Sequence, residues 1–252
     1  MFLSHEDLKL QFGVDLEIGK FLVDRRVPPD NAYWRKRLLY LNFQPGYIFI
    51  PLFADLQFRL GIPKKELMSD DYMNFAEAIL NSAGKQEWEN LSHADHIRDC
   101  LALTQPVNKN PSLLRDLTYY FNGEKDKASI QLGTPFPALQ RGDAYLFTLC
   151  YFPFDQELKQ QLVEAWYALI CFYLITDDLE DMKIDFKKNE ENSILEAGVE
   201  ADGIAKIITM LQWSHDVMSK INPVLANRID FYLKTTNIQS IVDSFLKEKS
   251  KV

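Results

Sequence analysis

Apolar side chains recur along most of this chain at the three- and four-residue spacing of a helix, and nowhere do they alternate between hairpin-type turns as paired strands do. Ile204, Ile207, Ile208, Leu211 and Met218 mark one face of such a spiral. Between Leu158 and Thr176 the pattern changes: there is no proline or glycine, and apolar residues fall on nearly every side. A helix of that kind is buried all round rather than laid on a surface. The pattern predicts an all-α fold, a bundle of roughly ten helices around one central buried helix.

Capping and turn residues set the expected boundaries. Ser4 with Asp7 forms a capping-box pattern that opens a first helix, interrupted at Gly13, and Leu16 to Leu22 make a second before Pro28-Pro29. Asp30 or Asn31 is expected to cap a helix through Phe43 that Pro45-Gly46 ends, with Pro51 in the first turn of the next and the residues before it extended or kinked. Ser69 caps a helix that stops before Gly84, another runs from Gln86 to Leu103, and Pro111 starts one that Asn122-Gly123 closes. Residues 123–142 form the longest irregular stretch, a length common in lids and binding loops. A short aromatic helix follows at Asp143–Phe152, and Asp155 opens the central one. Lys187, Lys188 and Asn189–Asn192 are expected as a loop, and Asn222-Pro223 starts a last helix pair through Lys247. No polar linker divides the chain, so residues 1–252 are read as one domain.

The central run ends in acid. At about 100° per residue, Asp177, Asp178, Asp181 and Asp185 share one side of the helix, with Trp166, Ile170 and Tyr173 on the same side nearer its start. Asp177/Asp181 and Asp181/Asp185 are like-charge i,i+4 pairs, each destabilising by about 0.2–0.5 kcal/mol. Broken local rules of this kind mark functional sites. A hard cation such as Mg2+ would relieve the repulsion and keep open positions for substrate phosphates.

DDLED at Asp177–Asp181 fits the DDxxD pattern of class I isoprenoid synthases. Its context, YLITDDLEDMKID, resembles the second aspartate-rich motif of trans-prenyltransferases and is similar to that of squalene synthases, although Leu174 stands at the glutamine position. The resemblance is specific over about twenty residues. It implies a Mg2+-dependent isoprenoid (prenyl) diphosphate transferase or synthase-like protein, with Asp177, Asp178 and Asp181 as metal ligands. In that reading Trp166, Ile170 and Tyr173 line the tail pocket and Lys187 and Lys188 touch the diphosphate. Asp95 and Asp99 form a DxxxD that would stand in for the first aspartate motif, 82 residues before Asp177 and without a following Arg-Arg pair. The alternative is a catalytically inactive all-α binding or interaction protein with a structural acidic cluster. A calcium or zinc site, the latter through His93 and His96, has no persuasive ligand spacing.

Composition narrows the partners. A net charge of −8 leaves no broad basic face for nucleic acid. The one dense basic region, Arg25, Arg26, Arg35, Lys36 and Arg37, reads as surface charge or as a site for diphosphate. Cys100, Cys150 and Cys171 are an odd number in apolar settings, as expected of reduced thiols in the cytoplasm. The start of the chain lacks a signal-peptide pattern, and no transmembrane segment is expected. The expected partner is a prenyl diphosphate or other lipid-like small molecule, with a homodimer left open.

Overall fold

Ser4 Oγ accepts from the Asp7 N–H and the Asp7 carboxylate accepts from the Ser4 N–H, so the capping box opens α1 (His5–Phe12), which Gly13 closes in the left-handed region. The computed structural model that shows this describes residues 3–249, and every regular element among them is helical. The helices after α1 are α2 (Leu16–Asp24), α3 (Pro45–Arg59), α4 (Lys64–Leu67), α5 (Asp70–Trp88) and α6 (His93–Thr104). The second half holds α7 (Pro111–Phe121), α8 (Gln156–Lys188), α9 (Ser193–Ala197), α10 (Ala201–Ile221), α11 (Pro223–Thr235) and α12 (Ile238–Lys249). Short 3-10 segments include Ala32–Trp34, Pro137–Gln140 and Asp143–Tyr151. Among the described residues no helix is long and apolar enough to cross a membrane.

The 33-residue α8 is the longest element and packs against α3, α9, α10, α12 and the Pro137–Gln140 segment. Trp166, Leu169, Ile170 and Phe172 on it are all buried, as the all-round apolar pattern requires. Trp166 meets Phe53 of α3 edge-on at 4.9 Å and stacks on Tyr145 of the aromatic 3-10 segment at 5.6 Å. Nearly all the buried apolar side chains among the described residues form one contiguous cluster. Far from the site, Asp55 of α3 accepts from the Asp15 N–H, Arg59 Nε and Asn222 Nδ2, which ties the start of the chain to the α10–α11 junction.

Several boundaries differ from expectation for identifiable reasons. Pro45-Gly46 opens α3 instead of closing a helix, because proline at the first helical position sacrifices only an N–H that has no partner there. Pro51 then lies inside α3, and the Tyr-Ile-Phe-Ile run is helical. Residues 31–43 form no α-helix: Trp34 and Tyr40 stack at 4.5 Å, and Lys36 takes a left-handed φ of 58°. Gly84 is inside α5, where the backbone of Ala32 and Tyr33 crosses so closely that a Cβ would lie 2.3 Å from the Tyr33 nitrogen. Lys187 and Lys188 belong to the last turn of α8, where cations complement the negative helix end.

Candidate functional site

The four rim aspartates divide into two pairs. Asp178 is 1 % exposed, and both its oxygens are engaged: Oδ1 accepts from Arg141 Nη2 at 2.6 Å and Oδ2 from the Ser193 N–H at 2.7 Å. Asn192 Nδ2 donates to the Asp178 carbonyl at 2.7 Å and to the buried Asp185 carboxylate at 2.8 Å, while its Oδ1 caps α9. Asp178 and Asp185 thus anchor the loop from α8 into α9. Asp177 is half-buried and Asp181 exposed. Burial, and then the neighbouring Asp181 charge, push the Asp177 carboxyl above its usual range.

Trp166, Ile170 and Tyr173 lie in the packed interior, and the buried Tyr173 hydroxyl has no hydrogen-bond partner. Lys187 and Lys188 are exposed. Ser92 caps α6, its Oγ accepting from the Asp95 N–H and donating to the Asp95 carboxylate, which also pairs with Arg98 at 2.7 Å, and Asp99 accepts from Ser82 of α5 at 3.2 Å. Among the described residues no three His, Cys, Asp or Glu side chains gather as a cation-holding group. His96 is buried against Ser82 Oγ at 2.9 Å, and burial pushes its pKa down to about 4. The three cysteines are free and buried.

A groove of about 430 Å3 opens beside α8, on a neighbouring stripe of the same helix. Val163, Tyr167 and Cys171 form its floor, Met210 and Trp213 of α10 one wall, and the irregular stretch Ile130–Pro135 the other. Gln160, Glu164 and Thr209 stand at its polar edge, and no lysine or arginine lines it. Volume and lining fall in the range of small-molecule sites.

The loop wall is held by a buried polar network. Gly133 donates its N–H to Tyr167 Oη at 2.7 Å, and Gln140 Nε2 donates to the Thr134 carbonyl at 2.8 Å. Gly133 has φ +83°, a conformation that favours glycine, and a Cβ there would crowd the Tyr120 ring at 3.0 Å. Behind the floor, Asp143 is 1 % exposed and faces Tyr120, Tyr167 and Trp166 without a cation. Burial raises its pKa to about 7.

Proton counting gives the same direction. Tyr120 Oη lies 2.9 Å from Gln140 Oε1 and 2.5 Å from Asp143 Oδ2, but one hydroxyl proton cannot serve two acceptors. With Asp143 protonated, its O–H donates to Tyr120, Tyr120 donates to Gln140, and Tyr167 donates to Asp143. Every bond is then made.

Further along, Lys159 Nζ is buried against Asp116 Oδ2 at 2.6 Å and the hydroxyls of Ser112 and Ser129 at 2.8 Å each. This lock fixes α7 and residue 129, the entry to the loop wall, onto α8. Sequence reasoning missed Lys159, Tyr167 and Asp143. The signal available was a charged residue in register with a buried stripe: Lys159 precedes Trp166 by two helical turns, and Asp143 heads the apolar run AYLFTLC.

No protein-family model matches the chain, and no curated protein or solved structure shows significant similarity to it.

Proposed function

We propose that this chain is an all-α binding protein for a lipid-like small molecule, held in the groove between Ile130–Pro135, α8 and α10, and that the acidic cluster on α8 is largely structural. The observation that carries the reading is the groove itself: an apolar floor and wall, a polar edge, and a loop fixed by an internal hydrogen-bond network. Its edge carries Glu164 and no cation, so a neutral hydroxyl head fits better than a diphosphate. A prenyl alcohol such as farnesol has this chemistry. At a hundred times its dissociation constant a ligand specific for the native state raises stability by about 2.7 kcal/mol, or the melting temperature by about 5–10 °C for this length. Farnesol is expected to give such a rise in differential scanning fluorimetry. A shift no larger than that from a solvent blank would remove the reading.

The second reading is the Mg2+-dependent prenyl diphosphate enzyme with an isoprenoid-synthase-like bundle around α8. It is favoured by the Asp177–Asp181 repulsion, which Arg141 only partly offsets, and by the unpartnered Tyr173 hydroxyl one turn earlier. The donor set fits a metal cluster poorly, because Asp178 is already committed on both oxygens. In the same experiment, a rise with Mg2+ and inorganic diphosphate that exceeds the rise with farnesol selects this second reading.

A further inference from the structure

Residues 35–39, Arg-Lys-Arg-Leu-Leu, are all exposed, yet they are bracketed by two buried aromatic residues. Trp34 and Tyr40 are 1 % and 2 % exposed, stack at 4.5 Å and are joined by a bond from Trp34 Nε1 to the Tyr40 carbonyl at 2.9 Å. The loop is therefore pinched shut at its base and its five side chains are pushed outward. Leu38 is 94 % exposed, the highest value among the large exposed hydrophobic residues, and Leu39 is 43 % exposed. Arg26 lines the same hollow as Arg35, Lys36 and Arg37, with Asp30 and Glu89 in the same lining, and the Glu87 carboxylate lies within reach of the Arg37 charge. Arg37 lies over the Tyr47 ring, 4.5 Å from its centre. Arg26, Arg35 and Lys36 have no ion-pair partner among the described residues.

In a chain of net charge −8, three unpaired cations around an outward leucine are a local reversal of sign. We propose that this loop docks the protein on an anionic phospholipid surface, with Leu38 entering the boundary between head groups and acyl chains and Arg26, Arg35 and Lys36 contacting phosphates. A membrane is the occupant that satisfies both features at once: an anionic sheet attracts the cations, and an apolar layer just beneath it accepts the leucine. A soluble phosphate would engage the cations and leave Leu38 in water. The surface shares no residue with the groove.

The test is co-sedimentation with vesicles of phosphatidylcholine alone or mixed with phosphatidylserine, over a series of salt concentrations. The full chain is expected to pellet with the mixed vesicles at low salt, to be released as salt rises, and to stay in solution with phosphatidylcholine alone. Arg35→Gln with Lys36→Gln should weaken binding by at least about tenfold. Leu38→Ser should weaken it severalfold with the salt dependence unchanged. These side chains are exposed and make no ion pair among the described residues, so folding is not at stake. Absence of pelleting with mixed vesicles overturns the proposal, as does binding that both variants leave intact or that soluble phosphoserine abolishes at concentrations comparable to the vesicle lipid.

Discussion

Lys159 and Tyr167 stand two turns apart on α8, and each holds a buried carboxylate against the helix. Asp116 has a cation, one hydroxyl and a backbone N–H, so although burial alone would push its pKa up, the bonds from Lys159 and Ser129 outweigh that and keep it below the ordinary value. Asp143 has only two phenols and an indole, and burial wins. Two buried acids thus differ in charge near neutrality: Asp116 is an ion and Asp143 is close to a balance between acid and ion. The difference assigns their parts. The Lys159–Asp116 pair is a lock, insensitive to ordinary changes of pH, whereas the Asp143 network behind the groove depends on a proton.

The largest expected effect comes from opening the lock. Lys159→Met leaves a buried, uncompensated carboxylate and should cost about 3–5 kcal/mol at neutral pH in urea unfolding. The loss should shrink in acid, where Asp116 becomes protonated. A cost below about 1 kcal/mol at neutral pH would mean that the pair is solvated and the comparison with Asp143 fails.

Next is the rim. Asp178→Ala removes the acceptor for Arg141 and for the Ser193 N–H, and should cost about 2–3 kcal/mol, less than a fully buried pair because Arg141 reaches solvent. If the variant were as stable as the parent, the aspartate would not be anchoring α9.

Asp143→Asn sharpens the comparison through pH. A carboxyl whose native pKa is raised holds its proton in the folded state while the unfolded chain has released it, so its contribution is fully present below the unfolded value of 3.8 and is lost as pH rises to about 7. The parent should therefore lose stability across that window relative to the asparagine variant, and the two curves should run parallel above it. Urea unfolding at several pH values decides this, and parallel curves throughout would show that Asp143 has an ordinary pKa. The smallest effect is expected at Asp177 and Asp181. Converting both to Asn relieves like-charge repulsion and should leave the protein as stable or more stable by a few tenths of a kcal/mol. Strong destabilisation would show that they, too, hold buried partners.

Local spacing and capping chemistry were enough to read the all-α class, the burial of Trp166 and Leu169, the caps at Ser4 and Ser69 and the helix start at Pro111, because these are local matters of spacing and hydrogen bonding. The failures at Gly84 and residues 31–43 share a cause, since contacts of Asn31 to Tyr33 with α5, distant in sequence, overrode local turn chemistry, whereas Pro45 allowed a second local reading as the first residue of a helix. The acidic rim was legible as four carboxylates on one side, but not their division, since Arg141, Asn192 and Ser193 reach Asp178 and Asp185 from other elements. The groove was half legible. Residues 123–142 stood out as a long irregular stretch, whereas the wall from Met210 and Trp213 required the packing of α10 on α8.

The central claim is that the groove, and not the rim, receives the ligand, and chemical-shift mapping of the 15N-labelled protein titrated with farnesol tests it residue by residue. The predicted result is saturable movement of amide signals from residues 130–134 and 209–213 and from Val163 to Cys171, with those of Asp177 to Asp185 unmoved. Movement concentrated at Asp177 to Asp185, or no saturable movement anywhere, would contradict the account.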